Sequence, residues 1–251
     1  MTPMSTLVIP CYDEEQRLDR AALLAMVDGR ADFRLLLVDD GSRDGTRAVL
    51  EGLAAARPGR IGALALTPNG GKAEAVRAGL RVALGEGADV VGYFDADLST
   101  SPAEMLRLLD VIRASGPAVV LGSRVAMLGT DIDRKAARHY LGRVFASIAS
   151  LVLDARVYDT QCGAKLFRRT PALEAALEAP FLSRWAFDVE LLGRLLAGTP
   201  DTPGLSTSDV VEVPLRAWKD VPGSKLNPTA MVGALGDLAR IRLALARRRR
   251  S

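Results

Sequence analysis

The sequence predicts an α/β domain whose mostly parallel sheet is covered by helices on both faces. Short apolar runs bounded by turn residues recur through the first half, and helical patterns fill the stretches between them. The length, 251 residues, suits one such domain better than two equal halves. With 49% hydrophobic and 25% charged residues, the chain falls outside the disordered, collagen-like and low-complexity classes.

In chain order, Thr6 to Pro10, Phe33 to Val38, Ile61 to Leu66, Val90 to Phe94 and Ala118 to Gly122 read as buried strands, brief and often β-branched. Helical patterns lie between them at Arg17 to Val27, Thr46 to Ala56, Ala73 to Leu84 and Pro102 to Ala114. Ser101 is the candidate cap of the last, with Pro102 at its first position. After Gly122 the rhythm changes. Asp133 to Leu153 reads as one long helix, Asp159 to Arg168 as a segment containing a strand, and Ala186 to Ala197 as a helix. Val210 to Pro214 follows as a strand and Pro228 to Arg250 as a final amphipathic helix; Thr199 to Ser208 is a surface loop. The whole chain, 1–251, is expected to form one domain, with a ligand-binding half to residue 124 and a second half from 125.

The two cysteines, Cys11 and Cys162, are too few for a disulfide scaffold, and with the single His139 they exclude a zinc cluster. Of the 33 basic residues, four form the run Arg247 to Arg250, so the remaining 29 against 30 acids leave the body near neutral. That distribution argues against a nucleic-acid partner, which calls for a basic folded face. Met1 leads almost directly into Leu7-Val8-Ile9, unlike a secretory leader. The longest nearly uncharged stretch, Val144 to Leu153, is well short of the ~20 residues of a membrane span. The expected location is cytoplasmic.

Chemistry is expected where the first-half strands end, since open α/β sheets bind ligands at their carboxyl edges. Pro10-Cys11-Tyr12-Asp13-Glu14 closes the first strand, with an ordinary strand-to-helix turn as the plainer alternative. Asp39-Asp40-Gly41-Ser42-Arg43-Asp44-Gly45-Thr46 closes the second; its acids can accept from a base N–H or ribose hydroxyls, although Asp44 could serve simply as a helix cap. Asn69-Gly70-Gly71-Lys72 opens a helix and lacks the Walker A spacing, but such a helix start can approach a nucleotide closely. Phe94-Asp95-Ala96-Asp97 closes the fourth strand. Spacing by two in extended chain puts both carboxylates on one face, two hard oxygen ligands suited to Mg²⁺ or Mn²⁺ with a diphosphate.

In this order the four segments resemble the nucleotide-sugar half of family 2 glycosyltransferases, which have the GT-A fold. Gly122-Ser123-Arg124, Asp159-Thr160-Gln161-Cys162-Gly163, Trp185-Ala186-Phe187-Asp188-Val189-Glu190-Leu191-Leu192 and Gly223-Ser224-Lys225 are similar to the polyprenyl-phosphate branch, most of all to dolichyl-phosphate β-glucosyltransferases. The resemblance implies inverting transfer of a hexose from a nucleoside-diphosphate sugar to a polyprenyl phosphate, with a UDP-sugar favoured and GDP-mannose open. It implies that Pro10, Tyr12, Glu14 and Asp40 line the nucleotide pocket with Lys72 nearby, and that Asp95 sits by the ribose and the metal's water shell. Asp97 would ligate the metal, and Arg124, assisted by Arg138, would bind phosphate. Gln161 and Asp188 would face the sugar, with Asp97, Arg124 and Asp188 the catalytic set, and Ser224 and Lys225 would close over the diphosphate. Ser99 departs from the pattern, standing where some mannose synthases carry a metal-holding Gln. Two alternatives stay open: a soluble glycosyltransferase acting on a hydroxyl, for which Asp188 or Glu190 would be the base, and a catalytically silent nucleotide-sugar-binding partner. The terminal arginines suggest peripheral contact with an anionic membrane.

Overall fold

A computed structural model describes residues 4–133, 136–219 and 228–249, with the backbone alone at 115, 136–141, 228–232 and 234. The first half alternates as expected: β1 (Ser5–Cys11), α1 (Arg20–Asp28), β2 (Phe33–Asp39), α2 (Thr46–Ala56), β3 (Ile61–Ala65), α3 (Lys72–Gly85), β4 (Val90–Phe94), α4 (Pro102–Ser115) and β5 (Val119–Ser123). The second half comprises β6 (Asp131–Asp133), α5 (Ala136–Leu153), β7 (Ala164–Arg168), α6 (Pro171–Glu178), α7 (Phe187–Ala197), β8 (Val210–Pro214), β9 (Ala217–Lys219) and α8 (Pro228–Arg248).

Seven strands form one sheet in the order β3-β2-β1-β4-β7-β5-β8, parallel except for β7, which runs antiparallel between β4 and β5. From β1 the chain steps outward through β2 to β3 and then returns to β4 on the other side of β1. The strand order therefore reverses between β1 and β4, where the carboxyl ends splay and leave a crevice. Alternation along β1 sends Val8 to the face covered by α3, α5, α6, α7 and α8. Leu7 and Ile9 go to the face covered by α1, α2 and α4.

Two expectations are corrected and one helix is added. The segment from Asp133 is not helical at its start, because 131–133 pair with 217–219 as a two-stranded ribbon and α5 begins at Ala136. α1 begins three residues later than its apolar pattern, at Arg20, because the Asp19 carboxylate caps Ala22 N at 2.9 Å. α6 was not anticipated, although Thr170 caps it and Pro171 opens it. The Ser101 cap of α4 is present, accepting from Glu104 N at 3.2 Å. In α8, Leu238, Ile241 and Leu245 are buried while Leu235 and Leu243 are exposed. Arg248 turns inward and donates to Gly198 O at 3.0 Å and Ala175 O at 2.8 Å.

Close packing of α3 on the sheet depends on Gly79. A Cβ there would lie 2.5 Å from Val8 Cγ1 and 3.0 Å from Val38 Cγ2. Gly79→Ala gains ~1 kcal/mol of helix propensity, but overpacking a filled core costs ~1–3 kcal/mol. A net loss of up to ~2 kcal/mol is expected, read as a lower denaturation midpoint at unchanged m-value. A stabilised variant would contradict the packing argument.

Candidate active site

The crevice between β1 and β4 is a cleft of about 230 Å³ lined by Pro10, Cys11, Tyr12, Glu14, Asp40, Lys72, Asp95, Ala96 and Asp97. Every residue expected to meet the nucleotide, and both expected metal ligands, thus come together from the ends of β1, β2 and β4 and the start of α3. Local chemistry holds the loops in place. Asp13 N donates to Ser42 Oγ, Arg43 N to Asp13 Oδ1, Glu14 N to Thr46 Oγ1 and Gly45 N to Glu15 Oε2, stitching the turn after β1 to the turn after β2. Asp13 itself adopts φ of 53°, a left-handed conformation that places Tyr12 and Glu14 beyond the strand end. Asp44 accepts from Thr46 N and Glu15 N, so it fastens the turn whether or not a ligand is present.

Asp40 joins this corner to the loop before α3. Its Oδ1 accepts from Gly70 N at 2.9 Å and its Oδ2 from Asn69 Nδ2 at 2.9 Å. Burial raises the Asp40 pKa above the ordinary carboxylate value, against the pull of the Gly70 and Gly71 amides and the Arg184 charge. Arg184, which no sequence motif singled out, lies across Gly71: a Cβ on that glycine would be 3.2 Å from Arg184 Cδ and 3.6 Å from its Nε.

At the other end of the cleft, Lys72 Nζ is 2.5 Å from Asp95 Oδ1 and 6.0 Å from the centre of the Phe187 ring. Desolvation alone would lower the Lys72 pKa, but the Asp95, Asp188 and Asp97 charges raise it above its ordinary value. Asp97 Oδ1 accepts from Ser99 N at 3.0 Å across Leu98, which is left-handed at φ 53°. Gly163 abuts Asp95, since any Cβ there would run into the carboxylate. Among the described residues no group of three or more His, Cys, Asp or Glu could hold a metal ion. Two carboxylates without a third protein ligand still fit Mg²⁺ or Mn²⁺ in a diphosphate site, where phosphate oxygens and water complete the shell.

Beyond Asp95 lies a second cluster. Arg124, at the end of β5, grips Asp159 with Nε at 2.7 Å and Nη2 at 2.8 Å, and its backbone N donates to the same carboxylate at 3.1 Å. Its guanidinium carbon lies 5.3 Å from the centre of the Trp218 ring. Although burial opposes it, Asp159 raises the Arg124 pKa, keeping the group a fixed cation. Asp159 N donates to Glu212 Oε1 on β8 at 2.9 Å. Gln161 follows two residues later; its Nε2, with Ser123 Oγ and Thr160 Oγ1, is buried without a hydrogen-bond partner among the described residues. The side chain of Arg138, and Ser224 and Lys225 entirely, lie outside the described residues.

Asp188 is the residue expected, with Gln161, to face the sugar. It is buried at the start of α7, does not line the cleft, and its Oδ1 receives Lys165 Nζ at 2.5 Å and the Tyr93 hydroxyl. Burial, then the charge of Asp188, pushes the Tyr93 pKa well above its ordinary value, so the phenol remains a proton donor. Glu190 is equally engaged: Oε1 takes Arg194 Nη2 at 2.6 Å, and Oε2 takes Leu182 N at 2.8 Å. Lys165, Tyr93 and Asp159 were not anticipated as partners. A lysine inside an apolar strand is the one sequence signal that could have found the first of them. Both thiols are buried, and burial pushes Cys162 up to about 11 and Cys11 higher still.

Residues 6–174 match the family described as Glycosyl transferase family 2. A dolichyl-phosphate beta-glucosyltransferase from Dictyostelium discoideum is 30% identical over 252 residues, covering 94% of this chain and 73% of the relative. A polyprenol monophosphomannose synthase from Mycolicibacterium smegmatis is 31% identical over 219 residues, covering 85% and 77%. Among solved structures, glucosyl-3-phosphoglycerate synthase from Mycobacterium tuberculosis, in complex with Mn²⁺, UDP-glucose and phosphoglyceric acid, superposes with a TM-score of 0.62. It is 20% identical and the match covers 96% of this chain and 80% of that one.

Proposed function

The chain belongs to glycosyl transferase family 2 and has the GT-A fold; from that premise we propose that it transfers a hexose from a nucleoside-diphosphate sugar to the phosphate of a polyprenyl phosphate, with inversion at the anomeric carbon. The names of its relatives support a lipid-phosphate acceptor. One observation within the chain carries the choice between phosphate and hydroxyl. The two acids that could serve as general base, Asp188 and Glu190, are already bound to Lys165 and Arg194 in buried ion pairs. A hydroxyl acceptor needs a base within reach of its proton. A phosphate is anionic at neutral pH and needs none.

In this reading an acceptor phosphate oxygen attacks the anomeric carbon from one face while the bond to the donor's β-phosphate oxygen breaks on the other. The bonding electron pair leaves with the nucleoside diphosphate, and no proton moves. Tyr12, Glu14 and Asp40 hold the nucleoside, Lys72 turns from Asp95 toward the diphosphate, and Arg124 orients the incoming phosphate. Asp159 takes Nε and Nη2 of Arg124, which leaves Nη1 for that contact. A divalent ion on Asp97 and Asp95 would neutralise charge growing on the leaving diphosphate. Arg247 and Arg249, exposed at the end of α8, would add contact with anionic headgroups, a role closed to the inward-turned Arg248.

The test supplies purified protein with UDP-glucose, other nucleotide sugars, Mg²⁺ or Mn²⁺, and either a short polyprenyl phosphate or the matching polyprenol. Product from the phosphate alone is expected, and transfer to the polyprenol or only to sugar hydroxyls overturns the reading. Arg124→Lys retains charge but loses the planar fork. Because hydrogen bonds to charged groups contribute ~1.5–3 kcal/mol, acceptor kcat/KM is expected to fall at least ~10-fold, with donor KM unchanged. A change confined to donor KM would move Arg124 to the other substrate.

A further inference from the structure

We infer that Arg184 reads the donor base, donating to the ring carbonyl beside the N–H that Asp40 accepts; this rests on the nucleotide-sugar reading above. The residue lies outside the set assigned to that site. It is an exposed arginine, with no ion pair or hydrogen bond to any other described residue. Its stem is nonetheless placed: it crosses Gly71, whose φ of 86° and missing Cβ let the side chain approach to contact distance. Gly71 follows Gly70, whose amide is bound to Asp40, and the Arg184 charge acts on the Asp40 carboxylate, so Arg184 stands near Asp40, beside the residues that line the cleft.

The backbone beneath Arg184 is pinned on both sides. Glu190 Oε2 accepts from Leu182 N and Ser183 N. Ser183 Oγ accepts from Trp185 N at 3.2 Å and Ala186 N at 2.8 Å, and donates to Asp237 Oδ2 of α8 at 2.6 Å. Trp185 packs edge-on against Phe145, with ring centres 4.9 Å apart. A cation held this firmly at its Cα and left unpaired at its tip is suited to a ligand.

The chemical class follows from the donor–acceptor order. A carboxylate beside a guanidinium presents acceptor then donor. Uracil matches with N3–H beside a carbonyl, as does guanine with N1–H beside O6. In the pose that sets uracil N3–H on Asp40 and O4 on Arg184, cytosine puts its ring nitrogen acceptor against the carboxylate and its amine against the guanidinium, acceptor against acceptor and donor against donor. Arg184 would therefore favour uracil or guanine donors and reject cytosine donors, partly by repulsion.

The experiment measures binding of UDP, uridine and CDP to the wild type, Arg184→Ala and Arg184→Gln, by calorimetry or, for uridine, by NMR titration. GDP and guanosine replace the uracil ligands if the wild type prefers them. Arg184→Ala is expected to weaken the diphosphate and its nucleoside by the same factor, about tenfold, with CDP little affected. Arg184→Gln, which keeps an amide donor, is expected to recover part of the loss. Unchanged nucleoside affinity overturns the proposal, whether or not UDP weakens, since a loss confined to UDP places Arg184 on phosphate. A wild type that binds no nucleoside diphosphate overturns the parent reading instead.

Discussion

Asp97→Ala is expected to lower sugar transfer by at least ~10²-fold, the effect of removing one well-placed electrostatic group from a transition state. The geometry separates this loss from any loss of folding. Asp97 is part-exposed at the carboxyl end of β4, and among the described residues it takes one hydrogen bond, from Ser99 N. Its removal therefore leaves the core intact, and thermal stability should change little. Asp95 is a poorer probe, because it is also the partner of Lys72, and replacing it frees an ammonium inside an acidic cleft. Two readouts check the assignment independently. Mn²⁺ bound in the presence of nucleoside diphosphate, followed by electron paramagnetic resonance, should fall with Asp97→Ala, and so should transfer. Full activity of the variant in excess chelator would remove both the metal and Asp97 from the mechanism.

The parts of this fold legible in the sequence are those whose causes are local. Strands β1 to β5 are short apolar runs ended by turn residues. The Asp95-Ala96-Asp97 pair is legible as two acids at a strand end, but its extended spacing is corrected: β4 stops at Phe94 and the pair lies in a turn closed by Leu98 N donating to Asp95 O at 3.1 Å, so strand periodicity does not set its geometry. What stayed hidden depends on pairings distant in sequence. β7 carries no mark of its antiparallel direction, which comes from its insertion between β4 and β5. Arg124 and Asp159 are 35 residues apart, and nothing near either one announces the other. Asp188 reads equally well as a catalytic acid or a buried anion, and only the arrival of Lys165 from β7 and Tyr93 from β4 decides its surroundings. Arg184 illustrates the opposite problem: it sits beside a strong motif, yet an exposed arginine has no periodicity that separates a ligand contact from a solvated surface.

The buried pair itself yields the largest expected change in stability. Lys165 and Asp188 have side chains 2% and 5% exposed, and the ammonium also donates to Cys162 O at 2.5 Å. Its remaining surroundings are aromatic, with Nζ 5.4 Å from the centre of the Tyr93 ring, which stacks near Phe167 and Phe187. In such a setting each charge is tolerated because of the other. Lys165→Met preserves most of the volume but leaves the Asp188 carboxylate uncompensated, at an expected cost of ~3–5 kcal/mol by denaturant unfolding. The double variant Lys165→Met with Asp188→Leu removes both charges and should regain most of that loss. The same cycle tests the mechanism. If Asp188 is a fixed anion rather than a base, the folded double variant keeps a transfer rate whose pH dependence follows the wild type. If Asp188 abstracts a proton, stability returns in the double variant but transfer does not. A single Lys165→Met variant within ~1 kcal/mol of wild type would show that the carboxylate had found solvent, and the phosphate-acceptor argument built on its confinement would go with it.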